Sequence, residues 1–155
     1  MGICENQVVI VTGAGRGLGR SHALELARQG AKVLVNDLGV ERDGSQGNDS
    51  PAQQVVNEIL AQGGEAAVNS ADVADWRQAE SMIQQAINTW GRLDGLVCNA
   101  GFLRDRMLAS MNEEEWDSVI RVHLKGHFAP ARHAITYWRD QAKSGNEIAA
   151  RIVNT

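Results

Sequence analysis

An apolar run that breaks into glycines, VVIVTGAGRGLG at residues 8–19, leaves few folds open to this chain. Val8, Val9, Ile10 and Val11 show no polar alternation, which is how a strand covered on both faces of a parallel sheet reads. Gly13, Gly15, Gly17 and Gly19 then give a turn with almost no side-chain bulk, and Leu18, Ala23, Leu26 and Ala27 follow at helical spacing. The unit is strand, glycine turn, helix. A helix starting there aims its unpaired backbone N–H groups and the positive end of its dipole at the turn, where a pyrophosphate can be held without a lysine.

Many ordinary turns are rich in glycine, so a second signal is needed. Ala31 to Asn36, AKVLVN, reads as another strand and ends in Asp37, 18 residues after Gly19. That is close to the ~20-residue offset of an acid that binds the adenosine ribose.

The glycine spacing also discriminates among dinucleotide binders. G-x-G-x-x-G fails, because position 18 is Leu18, whereas T-G-x-x-x-G-x-G fits Thr12, Gly13, Gly17 and Gly19. This pattern resembles the short-chain dehydrogenase/reductase family, and Asp72-Val73, Asn99-Ala100-Gly101 and the placement of Asp37 agree with it. The resemblance runs the whole length of the chain. It implies an α/β fold, a Rossmann-type doubly wound parallel sheet with strand order 3-2-1-4-5, and a dinucleotide-binding domain over residues 1–155 that lacks the C-terminal part of the family's fold. It also implies a cofactor-contact set: Gly13, Arg16, Gly17, Leu18 and Gly19 at the turn, Asp37 after strand two, Asp72 and Val73 after strand three, and Asn99, Ala100 and Gly101 after strand four. Asp72 reads equally as a helix cap, and Asn99 as a plain turn residue or a tie between strands.

Bulk properties narrow the function classes. A chain of 155 residues suits one domain and one core. A net charge of −4, with Lys and Arg scattered, gives no nucleic-acid footprint. Cys4 and Cys98 form no disulfide framework, and Cys98 falls in an apolar strand, so a reducing, cytoplasmic setting is expected. No apolar segment reaches membrane-spanning length, strand one begins too early for a signal peptide, and Asn6 spoils a myristoylation signal at Gly2. There is no internal repeat, and Pro51 and Pro130 mark no linker.

Taken in order, residues 38–50 read as a loop with Gly39, Gly44 and Gly47, beside the adenosine end. Ser50-Pro51 reads as an N-cap with proline in the first turn of a helix whose buried stripe is Val55, Val56, Ile59 and Leu60. Strand three covers residues 66–69. Trp76, Ala79, Met82, Ile83, Ala86, Ile87 and Trp90 make a core-facing helix that Gly91 stops, before strand four at 93–98. Asn112 and Glu115 form a near capping box for a long helix with an apolar face of Trp116, Val119, Ile120, Leu124 and Phe128, and Gly126 and Pro130 predict a kink midway. Strand five is expected at 148–155.

The resembled family uses a serine after strand five and a tyrosine four residues before a lysine, whose charge lowers the tyrosine pKa for proton transfer. Here the one tyrosine, Tyr137, has Gln141 at that position, Lys143 is two residues off, and the sequence stops at Val153-Asn154-Thr155. No catalytic residue is assigned in this chain. The family's helix asparagine, in a V-N-L-x-G context, is replaced within Val122-His123-Leu124-Lys125-Gly126. VNDLG at 35–39, AGFLRDRM at 100–107 and RVHLKGHF at 121–128 resemble most the (3R)-hydroxyacyl-CoA dehydrogenase unit of the peroxisomal multifunctional enzyme type and its bacterial relatives, where histidine is usual at that place.

What this implies is an oxidoreductase moving a hydride between nicotinamide and a secondary alcohol, such as a 3-hydroxyacyl-CoA. The expectation is that the chain is part of a dehydrogenase of roughly 250 residues or more, since the sheet edge and outer helix face would otherwise lie uncovered. The alternative is a non-catalytic dinucleotide binder. Family members pair through the long helix, which implies a homo-oligomer, dimer or tetramer. For the cofactor, Asp37 favours NAD: a 2′-phosphate would face it at a cost of roughly 4 kcal/mol per charge pair, and Arg16 on a solvated loop offsets about 1 kcal/mol or less. His123 and His127 are spaced i, i+4, but no acid lies between them as H-E-x-x-H requires, so no metal is expected. Neither a G-x-S-x-G elbow nor a nucleotide-triphosphate loop occurs.

Overall fold

β1 (Val8–Thr12) is the central strand of a five-stranded parallel sheet, flanked by β2 (Lys32–Asn36) on one side and β4 (Gly95–Cys98) on the other. β3 (Glu65–Asn69) and β5 (Arg151–Asn154) complete the order β3-β2-β1-β4-β5 in a computed structural model that describes residues 2–39 and 50–155. The register sets Val9 opposite both Val33 and Gly95. The doubly wound fold expected from the sequence is therefore present.

The lack of polar alternation in β1 has a direct cause, because successive residues of a strand enter opposite layers. Val9 and Val11, with Val33, Val35 and Val97, pack on α1 (Gly17–Arg28) and α2 (Pro51–Ala61) through Ala23, Val55, Val56 and Ile59. Val8 and Ile10, with Leu34, Leu96 and Cys98, pack on α3 (Trp76–Trp90) and α5 (Gly126–Lys143) through Met82, Ile83, Ala86, Ala134 and Trp138. Ile10, Leu34 and Leu96 are fully buried, each contributing about 1.5–3 kcal/mol by removal from water. Trp138 adds a buried hydrogen bond from Nε1 to the Leu93 carbonyl at 2.7 Å.

The helix signals hold at the starts. Ser50 Oγ accepts from the Gln53 N–H at 3.4 Å with Pro51 in the first turn, and Asp75 caps α3 through Gln78 at 2.9 Å. Asn112 and Glu115 make a full capping box for α4 (Glu113–Ile120), with reciprocal bonds of 2.9 and 3.0 Å. Strands four and five are shorter than expected, because Asp94 precedes β4 with its carboxylate on the Val8 N–H and the chain up to Ala150 is irregular. Of the loop read at 38–50, residues 40–49, with Gly44 and Gly47, lie outside the described residues.

Three expectations about burial are corrected. Leu60 is exposed, since Val55, Val56 and Ile59 already fill the face that α2 turns to the sheet. Trp76 is only partly covered, lying at the start of α3 against Phe128 and His133 of α5. The expected apolar face of the long helix is largely uncovered: Leu124 is 67% and Phe128 58% exposed, with Trp76 of α3 covering only part of Phe128. The long helix is in fact two. α4 and α5 are joined by a wide π turn over Arg121–Lys125, in which the Gly126 N–H reaches back to the Arg121 carbonyl. The interruption thus falls before Gly126, and Pro130 sits buried inside α5.

Candidate functional site

A cleft of about 400 Å³ opens at the C-terminal ends of β1 to β4. All eleven residues singled out from the sequence line it: Gly13, Arg16, Gly17, Leu18 and Gly19, then Asp37, then Asp72 and Val73, then Asn99, Ala100 and Gly101. Four separate loops deliver them, each following its strand.

The glycine turn is shaped by close approach. Gly13 has φ +61°, and a Cβ there would lie 2.8 Å from the Ala100 Cα. A Cβ on Gly19 would lie 2.2 Å from the Gly13 carbonyl oxygen. Gly17 differs: its φ is +55°, but a Cβ would meet nothing within 4 Å, so its bare backbone faces open cleft. The first N–H inside α1 to find a carbonyl is that of Arg20, on Arg16 at 3.2 Å. Helix geometry leaves the N–H groups of Gly17, Leu18 and Gly19 without an intrahelical carbonyl, at the positive end of the dipole.

Thr12 turns out to hold the site together. Its Oγ1 accepts from the N–H groups of Asn99 (2.9 Å) and Ala100 (3.0 Å) and lies 3.3 Å from the Val97 carbonyl, to which it donates. The Asn99 side-chain amide donates to the carbonyls of Thr12 (3.0 Å) and Gly13 (3.1 Å). Of the readings open for Asn99, the strand tie is the one this geometry uses. Thr12 was visible in the sequence as part of the motif, but its spacing gave no hint that the hydroxyl binds across to β4.

Two carboxylates stand at the β2–β3 end. Asp37 accepts from the Gly15 N–H through Oδ2 and from the Gly39 N–H through Oδ1, both at 2.9 Å, which fixes its plane at the cleft wall. Asp72 lines the cleft and accepts from the Ala74 N–H through Oδ1 (2.8 Å), which closes a local turn; its helix-cap reading is corrected, because the residue that caps α3 is Asp75. Its Oδ2 is paired with Arg121 at 2.6 Å, a partner 49 residues away that no sequence periodicity announces. Asn36, Phe102, Arg104 and Val122 also line the cleft and were not singled out.

His123, on the π turn, clamps the loop after β4. Its Nε2 lies 3.1 Å from the Phe102 N–H and 2.9 Å from the Phe102 carbonyl, and its ring so covers Gly101 that a Cβ there would sit 2.6 Å from Cε1. His127 stacks beside it, with ring centroids 6.5 Å apart. Among the described residues no group of three His, Cys, Asp or Glu side chains is placed to hold a metal ion, and no helix is long and apolar enough to cross a membrane.

Tyr137 lies at the other end of β4, against Leu93, Asp94 and Arg92, away from the cleft. Burial, with the Asp94 carboxylate nearby, pushes its hydroxyl pKa up, the reverse of what an acid/base tyrosine needs. Cys98 is wholly buried, and desolvation raises its thiol pKa to about 11, as befits a core residue.

Residues 7–155 match a family model described as short chain dehydrogenase. The chain is 45% identical over 155 residues to the hydroxyacyl-CoA dehydrogenase ChsB1 of Mycobacterium tuberculosis, covering 96% of this chain and 46% of that protein. It is 44% identical over 137 residues to the peroxisomal multifunctional enzyme type 2 of Mus musculus, covering 88% of this chain and 18% of that one. The crystal structure of a short chain dehydrogenase from Mycobacterium avium superposes with a TM-score of 0.92 at 57% identity, covering 99% of this chain and 54% of that chain. The chain thus spans about half the length of the two mycobacterial proteins.

Proposed function

This chain belongs to the short-chain dehydrogenase family, and from that premise we propose that its cleft binds a nicotinamide adenine dinucleotide, NAD in preference to NADP. The reaction we assign to the enzyme is hydride transfer between that cofactor and a secondary alcohol, with a 3-hydroxyacyl-CoA or comparable substrate. The substrate class rests on the likeness to the hydroxyacyl-CoA dehydrogenase and the multifunctional enzyme.

One observation carries the cofactor assignment: the Asp37 carboxylate, locked by two backbone N–H groups at the adenosine end of the cleft. Ribose hydroxyls are donors that it can accept. A 2′-phosphate would set negative charge against it, at about 4 kcal/mol per charge pair at 4 Å and an effective dielectric of 20.

The residues fit the rest of the dinucleotide. Gly17 leaves open space beside the N–H groups that start α1, suited to a pyrophosphate. Ala100 and Gly101 let the cofactor pass close to the backbone, with His123 and Thr12 holding that segment still. When bound, the nicotinamide supplies the hydride acceptor or donor; the chain supplies binding and orientation. No proton-transfer residue is assigned here, since Gln141 follows Tyr137 by four and the Tyr137 hydroxyl points away from the cleft end of the sheet.

The exposed Trp116, Leu124 and Phe128 support a homo-oligomer paired through α4 and α5, and the two free cysteines suit a reducing compartment, taken as the cytoplasm. Titration of the purified protein with NADH and NADPH tests the cofactor assignment. Tighter binding of NADH is expected; equal binding, or none, overturns it.

A further inference from the structure

Three side-chain amides under the adenosine end of the cleft form a chain with a single direction. Gln85 Nε2 donates to the Val68 carbonyl at 2.9 Å, and its Oε1 accepts from Asn69 Nδ2 at 2.8 Å. Asn69 Oδ1 accepts from the Ala71 N–H at 3.0 Å and from Asn36 Nδ2 at 2.7 Å. Asn36 Nδ2 gives its other hydrogen to the Ala71 carbonyl at 2.9 Å. The Val68 and Ala71 carbonyls can only accept and the Ala71 N–H can only donate, so flipping any of the three amides would set like against like. Both donors of Asn36 are therefore spent. Its Oδ1 is an acceptor to which no described residue donates, on a side chain only 1% exposed that lines the cleft between Asp37 and Val73.

On the reading that an adenine dinucleotide occupies the cleft, we propose that Asn36 Oδ1 accepts a hydrogen bond from the exocyclic amino group of the adenine, and that Asn69 and Gln85 are positioning residues that keep it facing that way. Asp72, at the same end, has Oδ1 on the Ala74 N–H and Oδ2 on Arg121. A purine carrying a carbonyl in place of the amino group would bring a lone pair against Asn36 Oδ1 at a nearly water-free spot, and such a site rejects it.

The test is titration of the full chain with NADH and with reduced nicotinamide hypoxanthine dinucleotide, for the wild type, Asn36→Ala and Gln85→Leu, each checked for folding by circular dichroism. The wild type should prefer NADH by about tenfold or more. Asn36→Ala should bring the two affinities within about threefold, chiefly by weakening NADH, and Gln85→Leu should reduce the preference while leaving Asn36 in place. Absence of a wild-type preference, or its full retention in the variants, overturns the proposal while the cofactor assignment stands. Failure of the wild type to bind either dinucleotide would instead sink the assignment under it. Should Asn36→Ala not fold, Gln85→Leu decides alone: a reduced preference supports the proposal and an unchanged one ends it.

Discussion

Asn99 reaches from the end of β4 to the end of β1 and the start of the glycine turn, donating its side-chain amide to the carbonyl oxygens of Thr12 at 3.0 Å and Gly13 at 3.1 Å. Thr12 closes β1 and Gly13 opens the bend to α1, so one side chain fixes the glycine turn against the loop that follows β4. Asn99→Ala should leave those part-buried carbonyls unsatisfied and lower stability by about 1–3 kcal/mol, read from urea unfolding. A loss below about 0.5 kcal/mol would mean water replaces the amide without cost.

The glycines of the turn separate fold from ligand binding. Gly19→Ala would overlap the Gly13 carbonyl oxygen and Asn99 Nδ2, at 2.2 and 2.4 Å, and should cost about 1–3 kcal/mol of stability. Gly17→Ala meets no atom within 4 Å, so its cost should be limited to about 1–2 kcal/mol for a positive φ. Its methyl enters the space assigned to the pyrophosphate, so NADH affinity should fall by about tenfold or more in a titration, out of proportion to the melting shift. Unchanged NADH affinity in Gly17→Ala would move the pyrophosphate elsewhere.

Cys98 makes stability depend on alkaline pH. Its folded pKa is raised by burial from 9.0 to about 11, so below pH 9 both states hold the proton and stability is unaffected. Between pH 9 and 11 the unfolded thiol ionises first, the unfolded state binds fewer protons than the native one, and stability falls as pH rises. The loss approaches about 3 kcal/mol for a shift of that size. Urea unfolding at pH 8 and at pH 10.5 checks it: Cys98→Ala should remove most of this pH dependence, leaving the smaller fall from Tyr137, whose pKa is also raised. An identical pH slope in the variant would contradict it.

The His123 clamp predicts a local effect. His123→Ala frees the Phe102 backbone and opens a gap over Gly101, so amide hydrogen exchange should speed up across residues 100–103 while the core strands stay protected. Equal protection in both proteins would show that the loop is held by other contacts.

What the sequence made legible is local. The glycine turn, the acid after the second strand, the N-caps at Ser50 and Asn112 and the alternation-free β1 each depend on residues close in the chain, where propensity and spacing act directly. What stayed hidden are partners over long separations: the Thr12 hydroxyl with the Asn99 and Ala100 N–H groups, Asp72 with Arg121, and Asn36 with Asn69. Such contacts leave no periodic trace. The apolar side of α4 and α5 failed differently, since periodicity identifies a hydrophobic face without saying whether the same chain covers it, and Leu124 and Phe128 stand exposed. The π turn was also beyond reach, because Gly126 and Pro130 signalled a break but not that it would fall at Arg121–Lys125.

The most direct measurement is the affinity of wild type and Asp37→Ala for NADH and NADPH. Asp37 holds its carboxylate toward the cleft through the Gly15 and Gly39 N–H groups, so the wild type should bind NADH more tightly than NADPH. Asp37→Ala should weaken NADH by about 1.5–3 kcal/mol, the scale of hydrogen bonds to a charged group, and should leave NADPH no weaker than before. Unchanged NADH affinity in the variant would mean that the acid after β2 does not hold the adenosine ribose, and the cleft would then need another ligand.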